Sequence, residues 1–463
     1  MKYNFFNFRQ FGDEYLITND LGRYSFVSEA ELKALISKRI EIETPFGKKL
    51  INTGFIYDEH PLEYVSRHEG AASNSKSFLF NATSLHIFVI TTACDLNCVY
   101  CQANSGNGKA PLFMDETIAR KAVDIALQSP EHNLSFEFQG GEPLLNFQIM
   151  KMIIEYAEDQ NTNHSIQFSV VTNLTHITEE ILDYFKSHNV NISTSLDGPE
   201  FVHNCSRTFL DGAGSYKKVS EGISKVHNRQ MHAGAIQTTT RHSLDFAEEI
   251  INAYANLGLD SIFIRPLTPL GKASMNWEGV GYTADEFLVF YEKALKSVIE
   301  LNLKDVYFRE EQAAIFLRRI LGQSINYMEL RSPCGAGTGQ LAYYADGSIF
   351  TCDEARMLYE MGDDSFLLGN VWNNDYRSLI KNSICKTACI SSILEALPSC
   401  TDCVYQPYCG VCPVVQYSLT GDVIEKEPEG YRCRIYKGIL DLLFSILRDG
   451  SPDEIGILES WCN

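Results

Sequence analysis

From "LHIFVITT" (residues 85–92) to about residue 300, short β-prone apolar runs alternate six times with longer helical patterns. The pairs are "LHIFVITT" with "DETIARKAVDIALQ", "LSFEFQ" with "FQIMKMIIEYAED", and "IQFSVVTN" with "TEEILDYFKSH". They continue with "VNISTSLD" and "SYKKVSEGISKVHN", "AGAIQTTT" and "LDFAEEIINAYANLG", then "SIFIRP" and "ADEFLVFYEKALKSVIE". Repetition of this kind demands a parallel sheet with helices on its outer face. A closed eight-unit barrel needs two more units than the chain offers. The expected fold is therefore α/β, an open six-unit partial (β/α) barrel, with its active site at the C-terminal ends of the strands.

The flanks read differently. Residues 1 to about 80 suggest a small α+β module. In "EYLITNDLGRYSFVS" two β-prone runs surround a turn at Asn19 to Gly22, and Ser28 and Glu31 fit a capping box before "LKALI". The small, polar "HEGAASNSKS" at 68–77 reads as a linker. Beyond about residue 325, "QLAYYA" and "SIFTC" flank Asp346 and Gly347 as a hairpin, followed by cysteine-rich loops and a closing helix in "RIYKGILDLLFSILRDG". The expected divisions are 1–80 (the α+β module), 81–320 (the partial barrel), 321–440 (the cysteine-rich extension) and 441–463 (a C-terminal tail).

A chain of 463 residues exceeds one compact core and suggests two to four domains. Its net charge of −20 argues against a nucleic-acid or anionic-membrane surface. The first residues lack the basic and apolar regions of a signal peptide, and no run of about 18 uncharged apolar residues occurs. A cytoplasmic protein without a membrane segment is the expectation, and thiols stay reduced there. Fourteen cysteines are many for that setting, and ten of them fall into two spaced groups, so metal is the leading account.

The first group is Cys94, Cys98 and Cys101, directly after the first strand pattern. Three thiolates can ligate three irons of a [4Fe–4S] cluster and leave the fourth open to a substrate or cofactor. A structural zinc site is the competing reading, although zinc usually takes four ligands and paired CxxC spacing. Cys-x3-Cys-x-aromatic-Cys, with Tyr100 in the aromatic place, resembles the radical S-adenosylmethionine (radical SAM) enzymes. "FQGGEP" ends the second strand, and the resemblance implies that Gly140, Gly141 and Glu142 bind the methionine amino group. "SLDGP" ends the fourth, where Ser195, with the downstream Arg207, is implied to contact the methionine carboxylate and ribose. Separately, each motif is also a plausible turn or loop start. The chemistry implied is reductive cleavage of S-adenosylmethionine to a 5′-deoxyadenosyl radical.

The second group comprises Cys334, Cys352, Cys400, Cys403, Cys409, Cys412 and Cys433. Alone, the paired CxxC units also read as zinc. The array resembles the SPASM extension of radical SAM enzymes, which implies two auxiliary [4Fe–4S] clusters and three in all. By that resemblance Cys400, Cys403, Cys409 and Cys433 hold the outer cluster, while Cys334, Cys352 and Cys412 hold the inner. The last pair is separated by two residues where the family usually has three. "CGAGTGQ" also lacks the additional cysteine some members carry, so the inner cluster is left with an open iron or with Cys385 or Cys389 as fourth ligand. Asp353 stands where related sulfatase-maturing enzymes place a base, with Glu354 beside it. Cys205 and Cys462 have no evident partners.

Nearly end to end, including "CGAGTGQLAYYADGSIFTCDEARM" and "ALPSCTDCVYQPYCGVCPV", the chain looks like the radical SAM maturases of the His-Xaa-Ser peptide system. The function so implied is an oxidative side-chain cross-link, cyclophane or ether, in a ribosomally made precursor peptide. Thioether formation, epimerisation with Cys205 as hydrogen donor, and formylglycine formation are alternatives for the same machinery; a non-catalytic zinc protein that binds peptides is another class. The N-terminal module is either a peptide-recognition element, adding a leader strand to its sheet edge, or a structural cap. A one-electron donor, flavodoxin or ferredoxin, is also implied.

Overall fold

The computed structural model describes residues 1–105, 108–324, 326–424 and 430–462. The chain begins with β1 (Lys2–Tyr3), followed by the antiparallel meander β2 (Phe6–Phe11), β3 (Glu14–Asn19) and β4 (Tyr24–Val27). The expected capping box forms: Ser28 and Glu31 satisfy each other's backbone N–H groups at the start of helix Glu29–Ile36. β5 (Ile56–Tyr57) pairs back with β1.

The six alternations become β6 (Leu85–Thr91), β7 (Asn133–Gly140), β8 (Ser165–Thr172), β9 (Asn191–Ser195), β10 (Ala233–Thr238) and β11 (Ser261–Arg265). They lie side by side in sequence order, every pair parallel. Helices intervene, several begun by a side chain that accepts an orphan N–H: Asp115 from Ile118, Thr178 from Ile181 and Thr283 from Glu286. β7 shows how the sequence divides inside from outside. Leu134, Phe136 and Phe138 join the buried apolar core together with Val123 and Ile153 of the flanking helices. The alternate residues Ser135, Glu137 and Gln139 line the lumen.

The sheet extends beyond the six units. β12 (Arg309–Glu310) adds in parallel to β11. On the other edge β13 (Gln340–Tyr343) pairs in parallel with β6, Gln340 opposite Leu85, and β14 (Ser348–Phe350) and β15 (Leu367–Asn370) continue antiparallel. Gly347 takes the left-handed turn position of the hairpin, φ +89°. The cysteine-rich region thus grows directly from the barrel sheet.

Two stretches differ from expectation. Residues 68–77 are mostly helical, the second half of helix Pro61–Lys76, rather than a linker. Pro61 at the first helical position and the Glu, Ala and Lys content permit a helix where small polar residues suggested a break. Residues 441–463, expected as a tail, lie in helices Tyr431–Asp449 and Pro452–Ser460, and Phe444, Leu458 and Trp461 are buried.

The N-terminal meander docks on the cysteine-rich loops. Thr18 Oγ1 donates to the Val404 carbonyl at 2.7 Å, and Asn7 Nδ2 to those of Thr401 and Cys403 at 3.1 and 3.0 Å. Phe444 packs edge-on to Tyr24, with ring centres 5.1 Å apart, and stacks on Tyr405 at 5.9 Å. Phe444→Ala is expected to cost about 3–5 kcal/mol and to lower the denaturant midpoint, whereas Leu62→Ala on the exposed face of helix Pro61–Lys76 shifts it by less than about 0.5 kcal/mol.

Candidate active site and cysteine groups

The C-terminal ends of the strands wall a cavity of about 430 Å³. Its lining includes Cys94, Cys98, Cys101, Gly141, Glu142, Ser195 and Arg207, residues far apart in sequence that the barrel topology collects. The cysteine loop is fixed by its backbone. Asn97 N–H donates to the Thr208 carbonyl at 2.7 Å and Val99 N–H to that of Ser206 at 3.0 Å. Asp95 accepts from Asn173 Nδ2 at 2.8 Å and from Thr175 Oγ1 at 2.6 Å, tying the loop to the end of β8.

Beneath the loop, Asp197 is fully buried and accepts from three directions. Tyr100 Oη donates to Oδ2 at 2.6 Å, Arg207 Nε to Oδ2 at 3.1 Å and Thr238 N–H to Oδ1 at 3.2 Å. The Arg207 guanidinium lies 5.1 Å over the Tyr100 ring and 3.9 Å from Cys98 Sγ. Burial opposes charge on Arg207, but Asp197, Tyr100 and Cys98 hold it well above the ordinary range, so it stays a cation.

Gly140 and Gly141 have a steric reason. A Cβ on Gly140 would stand 2.3 Å from the Thr91 carbonyl oxygen, and one on Gly141 2.2 Å from that of Ala93. This close passage lets Gly141 N–H reach Thr91 O and Glu142 N–H reach Ala93 O, each at 2.8 Å. Glu142 turns inward at 1% exposure and accepts from Thr172 Oγ1 at 2.6 Å, Asn173 N–H at 2.8 Å and Leu144 N–H at 3.0 Å. Burial nevertheless pushes its carboxyl up to about 7, against the lowering effect of those bonds. A ligand ammonium would supply the missing counter-charge.

Burial dominates the rise of the Cys94 and Cys98 thiols above their usual range, with Arg207 opposing it at Cys98. Thiolates so placed need a cation, which an iron cluster supplies, and this donor set fits one. In the C-terminal region Cys400, Cys403, Cys409 and Cys433, with Cys412, line a second cavity of about 380 Å³. Burial and then Cys433, Cys403 and Cys400 raise the Cys409 thiol. Burial, Glu354, Cys412 and Cys334 do so at Cys352, which places these three sulfurs in a separate group. Among the described residues no three or more His, Cys, Asp or Glu side chains close around one metal-ion position. The sulfurs ring cavities instead, an arrangement suited to a polynuclear cluster. Cys385 is buried with its Sγ toward the Leu379 carbonyl, and Cys389 faces Thr338.

Asp353 stands where the 430 Å³ cavity meets another of about 520 Å³ that runs down the lumen past Ser84, Ser135 and Glu329. Glu137, Gln139, Arg265 and Tyr327 are shared between the two. Arg356, 2% exposed, donates to Asp353 and, at 3.0 Å, to Gln139 Oε1. Cys205 is exposed, bonded to the Phe201 carbonyl at 3.0 Å, and is not among the residues lining the lumen cavities. Cys462 is buried, with Sγ 3.7 Å from the Leu458 carbonyl. Sequence reasoning passed over Asp197, quoted within "SLDGP" as a loop start, and the lumen residues Glu137, Gln139, Arg265 and Arg356. The polar alternation of "LSFEFQ" was the available signal for the first two of these lumen residues.

Residues 88–242 match the family model described as "Radical SAM superfamily". An uncharacterized protein of Methanocaldococcus jannaschii is 32% identical over 40% of this chain, and the match spans 63% of that protein's own length, less than two thirds. A cysteine-type anaerobic sulfatase-maturating enzyme of Clostridium novyi is 24% identical, covering 70% of this chain and 86% of its own. Among solved structures, native anSMEcpe with bound AdoMet and Cp18Cys peptide superposes with a TM-score of 0.67 at 20% identity, covering 82% of this chain and 99% of that one. The helix that crosses a membrane is absent: among the described residues no helix is long and apolar enough.

Gly141→Ala is expected to push the cysteine loop away and to weaken S-adenosylmethionine binding at least about tenfold, measured by equilibrium dialysis of the anaerobic protein. A carboxyl raised on folding binds its proton more tightly in the folded chain. Glu142 therefore lends the ligand-free protein stability that is present below its unfolded value of 4.5 and fades as pH rises toward about 7. Glu142→Gln should flatten the denaturation midpoint across that window.

Proposed function

We infer that this chain, with its radical SAM domain over residues 88–242, is an enzyme that modifies a ribosomally made precursor peptide by a carbon-radical route. The reaction we assign to it is an oxidative side-chain cross-link of the cyclophane or ether type. One observation carries the reading: the cavity walled by Cys94, Cys98, Cys101, Glu142, Ser195 and Arg207 runs into the lumen at Asp353. A structural neighbour that holds AdoMet and a peptide supports it.

In this reading Cys94, Cys98 and Cys101 hold a [4Fe–4S] cluster, and Tyr100, Gly140, Gly141, Glu142, Ser195 and Arg207 form the S-adenosylmethionine site. Cys400, Cys403, Cys409 and Cys433 hold an outer auxiliary cluster; Cys334, Cys352 and Cys412 hold an inner one. When bound, the cluster and S-adenosylmethionine supply a carbon-centred radical able to take hydrogen from an unactivated carbon. Glu142 offers its carboxylate to the methionine ammonium, and the methionine carboxylate lies toward Arg207. Asp353, oriented by Arg356, accepts the proton released as the substrate is oxidised. An external one-electron donor, flavodoxin or ferredoxin, and a peptide of the His-Xaa-Ser kind belong to the same proposal.

Epimerisation through Cys205 is disfavoured by its exposed position, bonded to the Phe201 carbonyl. Anaerobic co-expression with a small peptide encoded beside the gene, followed by accurate peptide mass, tests the reading. Loss of two hydrogens, abolished by Cys98→Ala and slowed about 100-fold or more by Asp353→Asn, is the expected result. An unchanged mass refutes the cross-link, and deuterium uptake from heavy water would then indicate epimerisation.

A further inference from the structure

Cys352 is the N-cap of helix Asp353–Glu360 and Cys412 that of helix Pro413–Thr420, neither with a side-chain capping bond. The two helices pack together, so two positive helix ends accompany these sulfurs. Glu354 lies in the first turn of the former helix. After burial, it is the foremost charged side chain acting on Cys352 and on Cys412. At Cys334 it again leads the charged neighbours, behind burial and an Ala336 backbone bond. One carboxylate therefore faces all three thiols.

The neighbouring acids are already engaged. Asp353 is bonded to Arg356, and Glu329 to Arg265 at 3.2 Å, Arg432 at 3.0 Å and Tyr436 Oη at 2.9 Å. Glu354 has no comparable ion pair or hydrogen bond among the described side chains. The cysteines suggested for the vacant coordination position lie elsewhere. Cys385 sits against Gly337, whose added Cβ would stand 2.2 Å from its Sγ, and its thiol neighbour is Cys389. Neither is among the groups acting on Cys334, Cys352 or Cys412.

We propose that Glu354 is the fourth ligand of the inner auxiliary cluster, its carboxylate binding the iron that Cys334, Cys352 and Cys412 leave open. The proposal rests on the two-auxiliary-cluster reading given above. It divides two adjacent acids by direction: Asp353 faces the 430 Å³ cavity and the reacting substrate, and Glu354 faces the sulfurs. Carboxylate oxygen is a harder ligand than thiolate, so the position is closed to solvent yet distinguishable from a fourth cysteine.

The test uses the full-length protein with Cys94, Cys98 and Cys101 all changed to alanine, so that only auxiliary clusters assemble on anaerobic reconstitution. Iron content is measured beside the electron paramagnetic resonance of the reduced protein, with and without isotopically labelled cyanide. With Glu354 present, about eight irons per chain and no cyanide coupling are expected. In Glu354→Ala, and in the nearly isosteric Glu354→Gln, the iron stays and one cluster's signal shifts and gains cyanide hyperfine coupling. Glu354→Cys closes the position again. Cyanide coupling of equal strength with Glu354 in place overturns the assignment, as do unchanged spectra in both Ala and Gln variants. About four irons, unaffected by Cys352→Ala, would instead remove the inner cluster and the proposal with it.

Discussion

The buried Asp197 carboxylate joins the parts on which this site depends. It follows β9, receives the backbone of β10 through Thr238, pairs with Arg207 and takes the hydroxyl of Tyr100 from the cysteine loop. A lone buried carboxylate would be costly, and so would a lone guanidinium; together, with two further donors, each satisfies the other. Removing either partner leaves an uncompensated charge under Cys98, a loss of about 3–5 kcal/mol. The pair thus fixes where the three sulfurs sit relative to the ends of β7 and β9, which carry Glu142 and Ser195.

A second constraint is the two-faced strand. β7 turns Leu134, Phe136 and Phe138 toward the helices and leaves Ser135, Glu137 and Gln139 to the lumen. The core is therefore built outside the barrel wall, and the interior stays polar and open. That polar lumen connects the cysteine loop with Asp353, and β13, paired to β6, brings the second cysteine region to its edge. Folding and function meet in this arrangement, because the strands that seat the first cluster also carry the sheet from which the second region grows.

Local pattern made much of this legible. The six strand–helix alternations, the capping box at Ser28 and Glu31, and the hairpin at Asp346 and Gly347 are short-range signals, and each stands where its residues suggest. What the pattern did not carry is non-local. "QLAYYA" shows a strand but not that its partner is β6, some 255 residues earlier in the bonded pair Gln340 and Leu85. Residues 68–77 show how composition misleads: small polar residues continue a helix that Pro61 has started. Asp197 looked like a turn residue because its role lies in contacts with Tyr100, Arg207 and Thr238, none adjacent in sequence. Gly140 and Gly141 were quoted for a motif, while their physical need, the carbonyls of Thr91 and Ala93, appears only in three dimensions.

The claim that the Asp197–Arg207 pair positions the first cluster is tested most directly by reductive cleavage of S-adenosylmethionine in Asp197→Asn, with iron measured on the same sample. The account predicts that about eight auxiliary irons remain while cleavage to 5′-deoxyadenosine falls at least about 100-fold, in line with breaking a buried pair. Cleavage at the parent rate, with about twelve irons retained, would contradict it.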